Sequence, residues 1–333
     1  MPTTNDCWRY SIPIKVIKPG LATSVQDLGR RGYYHVGVPP SGALDQFSLL
    51  AANLLVGNSS DAAALECAYM GPELHFTEST VVAATGADIE LQINGQAQPA
   101  WTSVVVAPGD VVTFGYLKRG ARMCLAVAGG IDVPEVLGSR STYTLGALGG
   151  HEGRVLQAGD ELAIGPVRGK VATRTVPLAL RPDLPSELEI RVVMGLYDHL
   201  LTDLGRQTFL ATSWTLTPVA DRVGFRYKGA QLDMVEREQP FGAGSDPSNI
   251  VDAPYPIGSI QIPGAVEPIV LHRDAVSGGG YAMIATVISA DMDAIAQSAP
   301  GSTTRFVAVD LYAALAARAE RAERISRLRG HFG

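Results

Sequence analysis

Two stretches of this chain share one design: a short apolar run, a Gly-Asp turn, then a second short apolar run. Residues 103–107 and 111–114 flank Pro108-Gly109-Asp110, and residues 155–157 and 161–164 flank Ala158-Gly159-Asp160. Runs this short suit strands rather than helices, and a Gly-Asp turn between them predicts a hairpin. A looser version, Ala299-Pro300-Gly301-Ser302, precedes an apolar run over 303–309, and further strands are predicted over 81–84 and 89–93. Many short strands between turns make the chain mainly β. Closing a sheet into a barrel is the common way to remove its edges.

Helices are few. Residues 43–56 put Leu44, Phe47, Leu50, Ala51 and Leu54 on one helical face, with Asp45 in the first turn and Gly57-Asn58 at the end. Helices are also predicted over 198–209, 289–297 and 310–329. The last carries Glu320/Arg324 and Glu323/Arg327 at i,i+4 and suits either a solvated terminal helix or one that docks a partner. Pro166, Pro177, Pro182 and Pro185 interrupt any periodicity. A linker near 167–187 therefore divides the 333 residues into two units, 12–166 and 188–310, followed by a terminal helix over 311–333.

The composition excludes several classes. An apolar fraction of 46% with 18% charged residues is that of a folded chain. The net charge is −6 and no basic block is present, which argues against nucleic acid. No apolar run approaches the ~20 residues of a membrane span, and the region around Asp6 and Arg9 lacks a signal-peptide core. Cys7, Cys67 and Cys124 are odd in number with no C-x-x-C spacing. They argue for the reducing cytoplasm and against a disulfide framework or a zinc site. Cys67 and Cys124, between apolar neighbours, read as small buried hydrophobes. The six histidines are scattered, so no metal site is predicted. There is no lysine-bearing phosphate loop, no G-x-S-x-G elbow, and no Ala-Met-Lys-Met segment for biotin attachment. Residues 278–281, Gly-Gly-Gly-Tyr, read as a tight turn.

Residues 25–45 stand apart. They hold four glycines, two adjacent prolines, two aspartates and two arginines, with neither strand alternation nor a helical face. Such loops fix unusual backbone shapes and often carry function. Similar polar loops recur at 139–154 and at 247–252, followed by Tyr255, Gln261 and Asp274. Arginine offers a fork for carboxylates, amides suit a developing oxyanion, and a buried carboxylate can act as a base. The catalytic candidates are Asp27, Arg30, Asn249 and Asp274. The substrate-binding candidates are Ser41, Gly42, Asp45, Ser141, Thr142, His151, Tyr255, Gln261, Gly279 and Tyr281. Each one alone also suits a turn or a cap. Their presence in both units predicts a cleft between them, with Asn249 reaching across it to loop 25–45 or loop 149–154.

At these residues the chain resembles the KipA family. The resemblance rests on 25–45, Ala52-Asn53, Leu65-Glu66, Gly71-Pro72, 85–87, 126–134, 138–142 and 149–160. In the second unit it rests on 221–226, 258–263, 268–271 and 279–281. The family comprises the C subunit of 5-oxoprolinase, also called allophanate hydrolase subunit 2, and the carboxyltransferase A/B subdomains of biotin-dependent enzymes. The resemblance implies two cyclophilin-like β-barrel domains, A-like over 12–166 and B-like over 188–310. It implies two partners, a KipI-like B subunit and a LamB-like A subunit, with ATP used by the complex to open 5-oxoproline. Two other roles stay open: a carboxyltransferase moving CO2 from carboxybiotin to urea, and a non-catalytic regulator that binds a KipI-like protein. Residues 144–154 and 247–258 resemble the urea carboxylase version, while a free-standing chain of this length resembles the 5-oxoprolinase component. The substrate is then a small lactam or a urea-like molecule.

Overall fold

The computed structural model describes residues 14–167 and 172–332. Cys7 and the first two residues of the 12–166 unit lie outside them. Ten strands form the first sheet: β1 (Ile14–Lys18), β2 (Ala22–Gln26), β3 (Ala64–Ala68), β4 (Glu73–Phe76), β5 (Thr80–Ile93), β6 (Gln96–Gln98), β7 (Ser103–Val106), β8 (Val111–Val127), β9 (Ile131–Asp132) and β10 (Glu161–Ile164). Nine follow: β11 (Glu187–Met194), β12 (Trp214–Ala220), β13 (Gly224–Lys228), β14 (Asn249–Pro254), β15 (Ser259–Gln261), β16 (Ile269–Leu271), β17 (Gly278–Tyr281), β18 (Met283–Val287) and β19 (Thr303–Ala308). The helices are α1 (Gln46–Leu55), α2 (Asp203–Ala211), α3 (Met292–Ala296) and α4 (Leu311–Phe332).

The first sheet is barrel-like, in the order β2-β3-β8-β4-β1-β10-β9, with β5 laid across β8 and carrying β6 and β7. The second is a closed barrel, β11-β18-β15-β16-β13-β12-β19. A separate ribbon, β14-β17, stands beside the barrel. The chain is thus mainly β with few helices. None of the described helices is long and apolar enough to cross a membrane.

Both Gly-Asp turns form, but neither predicted hairpin does. The Ala107 amide donates to Asp110 Oδ2 and the Gln157 amide to Asp160 Oδ2, both at 2.7 Å. β7 then pairs with β5 rather than β8, residues 155–157 make no strand, and β10 pairs with β1 and β9. The long ladder between β5 and β8 takes the partners that a local hairpin would have used. The two strands predicted over 81–84 and 89–93 are one strand, β5, which continues through register shifts after Gly86. Residues 278–281 are strand β17 rather than a turn.

Alternation on β5 shows why the first half has two cores. Val82 and Ala84 face a core with Val25, Leu65 and Leu125, while Ala83 faces a second core with Ala64, Cys124 and Ala126. Helix α1 fills that second core through Phe47, Leu50, Ala51 and Leu55. Each buried leucine there contributes roughly 2 kcal/mol. Asp45 is the N-cap of α1 rather than a first-turn residue, and left-handed Gly57 follows its end. Cys67 and Cys124 are buried free thiols, and burial pushes the Cys67 thiol up to about 12.

The remaining helices are shorter or shifted. Residues 198–209 split into a turn at 198–200 and α2, because Thr202 caps a fresh start by accepting from the Gly205 amide at 3.0 Å. The predicted helix over 289–297 shortens to α3, and that over 310–329 extends to Phe332. Helix α4 docks on α1 through Leu328, with Arg324 stacked 4.3 Å over the Phe47 ring. Leu44, just before α1, is buried in the core of the second half.

Candidate functional site

The loop after β2 is sewn into a closed shape by its own backbone. The Arg30 amide donates to Pro40 O at 2.7 Å and the Ala43 amide to Asp27 O at 2.9 Å. The two strands of the loop touch where side chains would collide. A Cβ on Gly42, whose φ is 87°, would lie 2.7 Å from Gly29 N.

Asp27 fastens this loop to residues 138–142. Its Oδ1 accepts from Ser139 Oγ at 2.7 Å, Ser141 Oγ at 2.5 Å and the Gly29 amide at 2.7 Å, and its Oδ2 accepts from the Arg140 amide at 2.6 Å. Four donors fill a carboxylate's capacity, so Asp27 is built as a fastener with little left for proton transfer. Thr142 completes the seam: its amide and Oγ1 both donate to Val25 O at 3.0 Å.

The two halves meet around Arg222, in the turn before β13. Its guanidinium donates to Glu66 Oε1 at 2.5 Å, to Asp274 Oδ2 at 2.8 Å and to Gly42 O at 2.8 Å. Glu66 Oε2 also accepts the Leu44 amide at 2.6 Å, and Gln26 Oε1 accepts the Gly42 amide at 3.1 Å. Burial opposes the charge on Arg222, but the Asp274 and Glu66 carboxylates overcome it and raise the guanidinium's pKa. Asp274, a catalytic candidate, is therefore held in a bidentate ion pair.

Beside this network lie buried polar groups with no partner among the described residues. Arg30 is 1% exposed; its Nη2 donates to Ser141 O, while Nε and Nη1 have no acceptor. Ser41 Oγ and both ring nitrogens of His272 are also buried and unpartnered. Burial lowers the pKa of Arg30. Burial first, and then Arg122, Arg222 and Arg273, hold His272 well below the usual histidine value. Each orphaned buried group costs about 1–3 kcal/mol, a cost that a bound ligand can remove.

Asp45 sits on the opposite side of the loop exit. It accepts from the Ser48 amide at 2.9 Å, from Ser48 Oγ at 2.6 Å and from Gln297 Nε2 at 2.6 Å. Gln297 Oε1 in turn accepts the Ala121 and Arg122 amides at 3.1 Å. Burial, then the Asp293 charge, pushes the Asp45 carboxyl up to about 6.

The other second-half candidates gather around the β14-β17 ribbon. Tyr255 is buried; its hydroxyl donates to Tyr281 O at 2.7 Å and accepts the Tyr281 amide at 2.8 Å. Gln261 also bonds this hydroxyl, and Gly279 packs on the ring, where a Cβ would lie 3.0 Å from Tyr255 Cε2. The Tyr34 hydroxyl, on the first loop, donates to Tyr255 O at 2.6 Å and ties this group to the junction. Asn249 begins β14, five steps or roughly 16–17 Å before Pro254. Its amide donates to Asp246 O, its carbonyl accepts from Arg237, and it pairs with Tyr281. Among the described residues no hydrogen bond joins it to loop 25–45 or loop 149–154, the neighbours expected for it.

His151 is partly buried, 3.5 Å from Asp160 Oδ1, in the loop whose Gly149 lies against the Arg30 guanidinium. Asp160 anchors that loop by a bidentate pair with Arg154 at 2.8 and 2.9 Å. The Arg154 hydrogen bonds hold the Asp160 carboxyl down at about 2.

Two open cavities flank the site. One of about 550 Å³ runs past Asp27, Gly29, Arg31, Asp132 and Arg140. Another of about 390 Å³ lies between α1, α3 and α4, past Asp45, Asp293 and Arg321. The sequence did not single out Glu66, Arg222, Asp293 or Gln297 as site residues. Glu66 and Arg222 do fall inside segments that carry the family resemblance, but no spacing links positions so far apart.

The model of the carboxyltransferase domain, subdomain A and B, matches residues 36–308. The chain is 36% identical to the C subunit of 5-oxoprolinase from Escherichia coli, over 92% of this chain and 94% of that protein. It is 35% identical to urea amidolyase of Saccharomyces cerevisiae over 88% of this chain, and spans only 16% of that much longer protein. Among solved structures, the Kluyveromyces lactis urea carboxylase superposes with a TM-score of 0.90 at 33% identity, covering 97% of this chain and 30% of that one.

Proposed function

Because this chain belongs to the family of carboxyltransferase domains with subdomains A and B, we propose that it is the C subunit of an ATP-dependent 5-oxoprolinase. In that reaction water adds to the lactam carbonyl carbon, the ring C–N bond breaks, and glutamate leaves with the nitrogen protonated. ATP hydrolysis drives the opening. The observation that supports this reading is the 36% identity to the E. coli 5-oxoprolinase component, which runs through 94% of that protein. A KipI-like subunit and a LamB-like subunit complete the enzyme in the cytoplasm. This chain has no lysine-bearing phosphate loop, so ATP binding rests largely on those partners. Arg30, with free N–H donors beside the Asp274–Arg222 pair, is the group best placed to meet substrate.

The test is reconstitution. Phosphate release that depends on 5-oxoproline is expected from the three-component mixture and not from this chain alone. Robust turnover by the single chain, or none by the full mixture, would sink the proposal. A second reading, carboxyl transfer from carboxybiotin to urea, is favoured by the 0.90 TM-score to the urea carboxylase. It predicts urea-dependent consumption of carboxybiotin when biotin carboxylase and carrier modules are supplied.

A further inference from the structure

Arg30 is a buried cation whose nearby carboxylates are already taken. Asp27 is filled by Ser139, Ser141, Gly29 and Arg140, and both oxygens of Asp274 are held by Arg222. Among the described residues no carboxylate contacts Arg30, and its Nε and Nη1 have no acceptor at 1% exposure. Nη2, bound to Ser141 O, fixes the guanidinium in place. Ser41 Oγ, buried and unpartnered, belongs to the same closed loop. A fixed arginine with unused donors is built for a planar anion with two oxygens.

We propose that Arg30 holds the carboxylate of a small substrate at the junction of the two halves. The segment 144–153 covers it as a lid. Gly149 lies against the guanidinium, where a Cβ would be 2.7 Å from Nη2. Residues 144–147 are exposed, and Gly149, Gly150 and Gly153 all have positive φ, a backbone shape that brings the segment down onto the cation. Beyond the lid, the Arg154–Asp160 pair stays fixed. The chemistry recognised is a carboxylate beside an amide carbonyl. 5-Oxoproline carries one, and so does the ureido ring of carboxybiotin; urea does not. Naming 5-oxoproline rests on the function proposed above, whereas the anion site does not.

The purified chain and the reconstituted complex are titrated calorimetrically with three probes. They are 5-oxoproline, its neutral carboxamide, and 2-imidazolidone-1-carboxylate, which presents the carboxybiotin ring carboxylate. The expected result is at least tenfold tighter binding of 5-oxoproline than of the carboxamide, with the preference lost in Arg30→Met. Arg30→Lys, which keeps the charge and loses the fork, is expected to lose at least fivefold and serves if Arg30→Met does not fold. Binding of the imidazolidone carboxylate but not 5-oxoproline, still dependent on Arg30, would uphold the anion site and remove the lactam reading. No preference for either carboxylate, in chain or complex, or a preference that survives both Arg30 variants, overturns the proposal.

Discussion

The carboxylate of Asp293, in α3 of the second half, accepts the backbone N–H of Gln46, the first residue of α1 in the first half, at 2.9 Å. One half thus caps a helix of the other. Its second oxygen accepts from Arg321 Nε of α4 at 2.8 Å, so three parts of the chain meet on one side chain. The helix being capped leads directly out of the 27–43 loop.

Asp293→Ala should therefore destabilise the whole chain. Losing a cap costs about 1 kcal/mol, and an unpaired Arg321 adds to that. For a chain of this size the melting temperature should fall by roughly 2–3 °C in calorimetry. Asp293→Asn, which keeps an acceptor for Gln46, should lose less than half as much. A change within about 1 °C for Asp293→Ala would show that the cap carries no weight.

Asp45 should give stability an unusual slope with pH. Its folded pKa of about 6 lies above the ordinary 3.8, because of burial first and Asp293 second. The folded chain therefore binds more protons between these values. The favourable contribution is full below pH 3.8 and is lost as pH rises through 6. The surrounding groups are Asp293 on α3, Gln297 just after it and Ser48 on α1, with Arg321 and Arg324 on α4. Urea midpoints for wild type and Asp45→Asn should diverge between pH 4.5 and 7, by a change on the order of 2 kcal/mol. Parallel curves would refute this. Asp160, held at about 2, acts in the opposite sense and in a separate window: its contribution is present above 3.8 and fades as pH falls through 2.

Arg222→Met leaves Glu66 and Asp274 buried without their cation. Breaking such a pair costs about 3–5 kcal/mol, so soluble yield should collapse. Adding Glu66→Gln and Asp274→Asn should recover part of it, because the stranded charges are then gone. A stable single variant would mean that water reaches the junction freely.

Gly42→Val puts a Cβ 2.7 Å from Gly29 N at a φ of 87°. Strain of about 1–3 kcal/mol is expected there. The effect on turnover should exceed the effect on folding, with 5-oxoproline-dependent phosphate release in the complex dropping more than tenfold. Full activity would remove this loop from the site.

What the sequence revealed was local. The helical face at 43–56, the terminal helix and both aspartate-closed turns follow from neighbours within a few residues. Strand pairing did not: residues 81–84 and 89–93 read as two strands, yet register shifts after Gly86 carry β5 through both. The site divides the same way. Loop 25–45 was recognisable from glycine and proline alone, and Tyr255, Gln261, Gly279 and Tyr281 do cluster. Asn249 joins them through its pairing with Tyr281, but among the described residues no hydrogen bond takes it to loop 25–45 or loop 149–154. Glu66 and Arg222 looked like ordinary strand and turn charges, since only folding brings them within 2.5 Å.

The parallel pairing of β11 with β19 has a consequence in time. The ladder aligns Glu187 with Thr303, so the first strand of the barrel waits on a ribosome for a partner about 115 residues away. At about 5–20 residues per second, that wait is roughly 6–23 s. Throughout it β11 offers an unpaired edge to any other nascent strand. Translation rate between these two positions, and chaperones that shield the growing chain, thus bear on how much of this protein reaches its closed form.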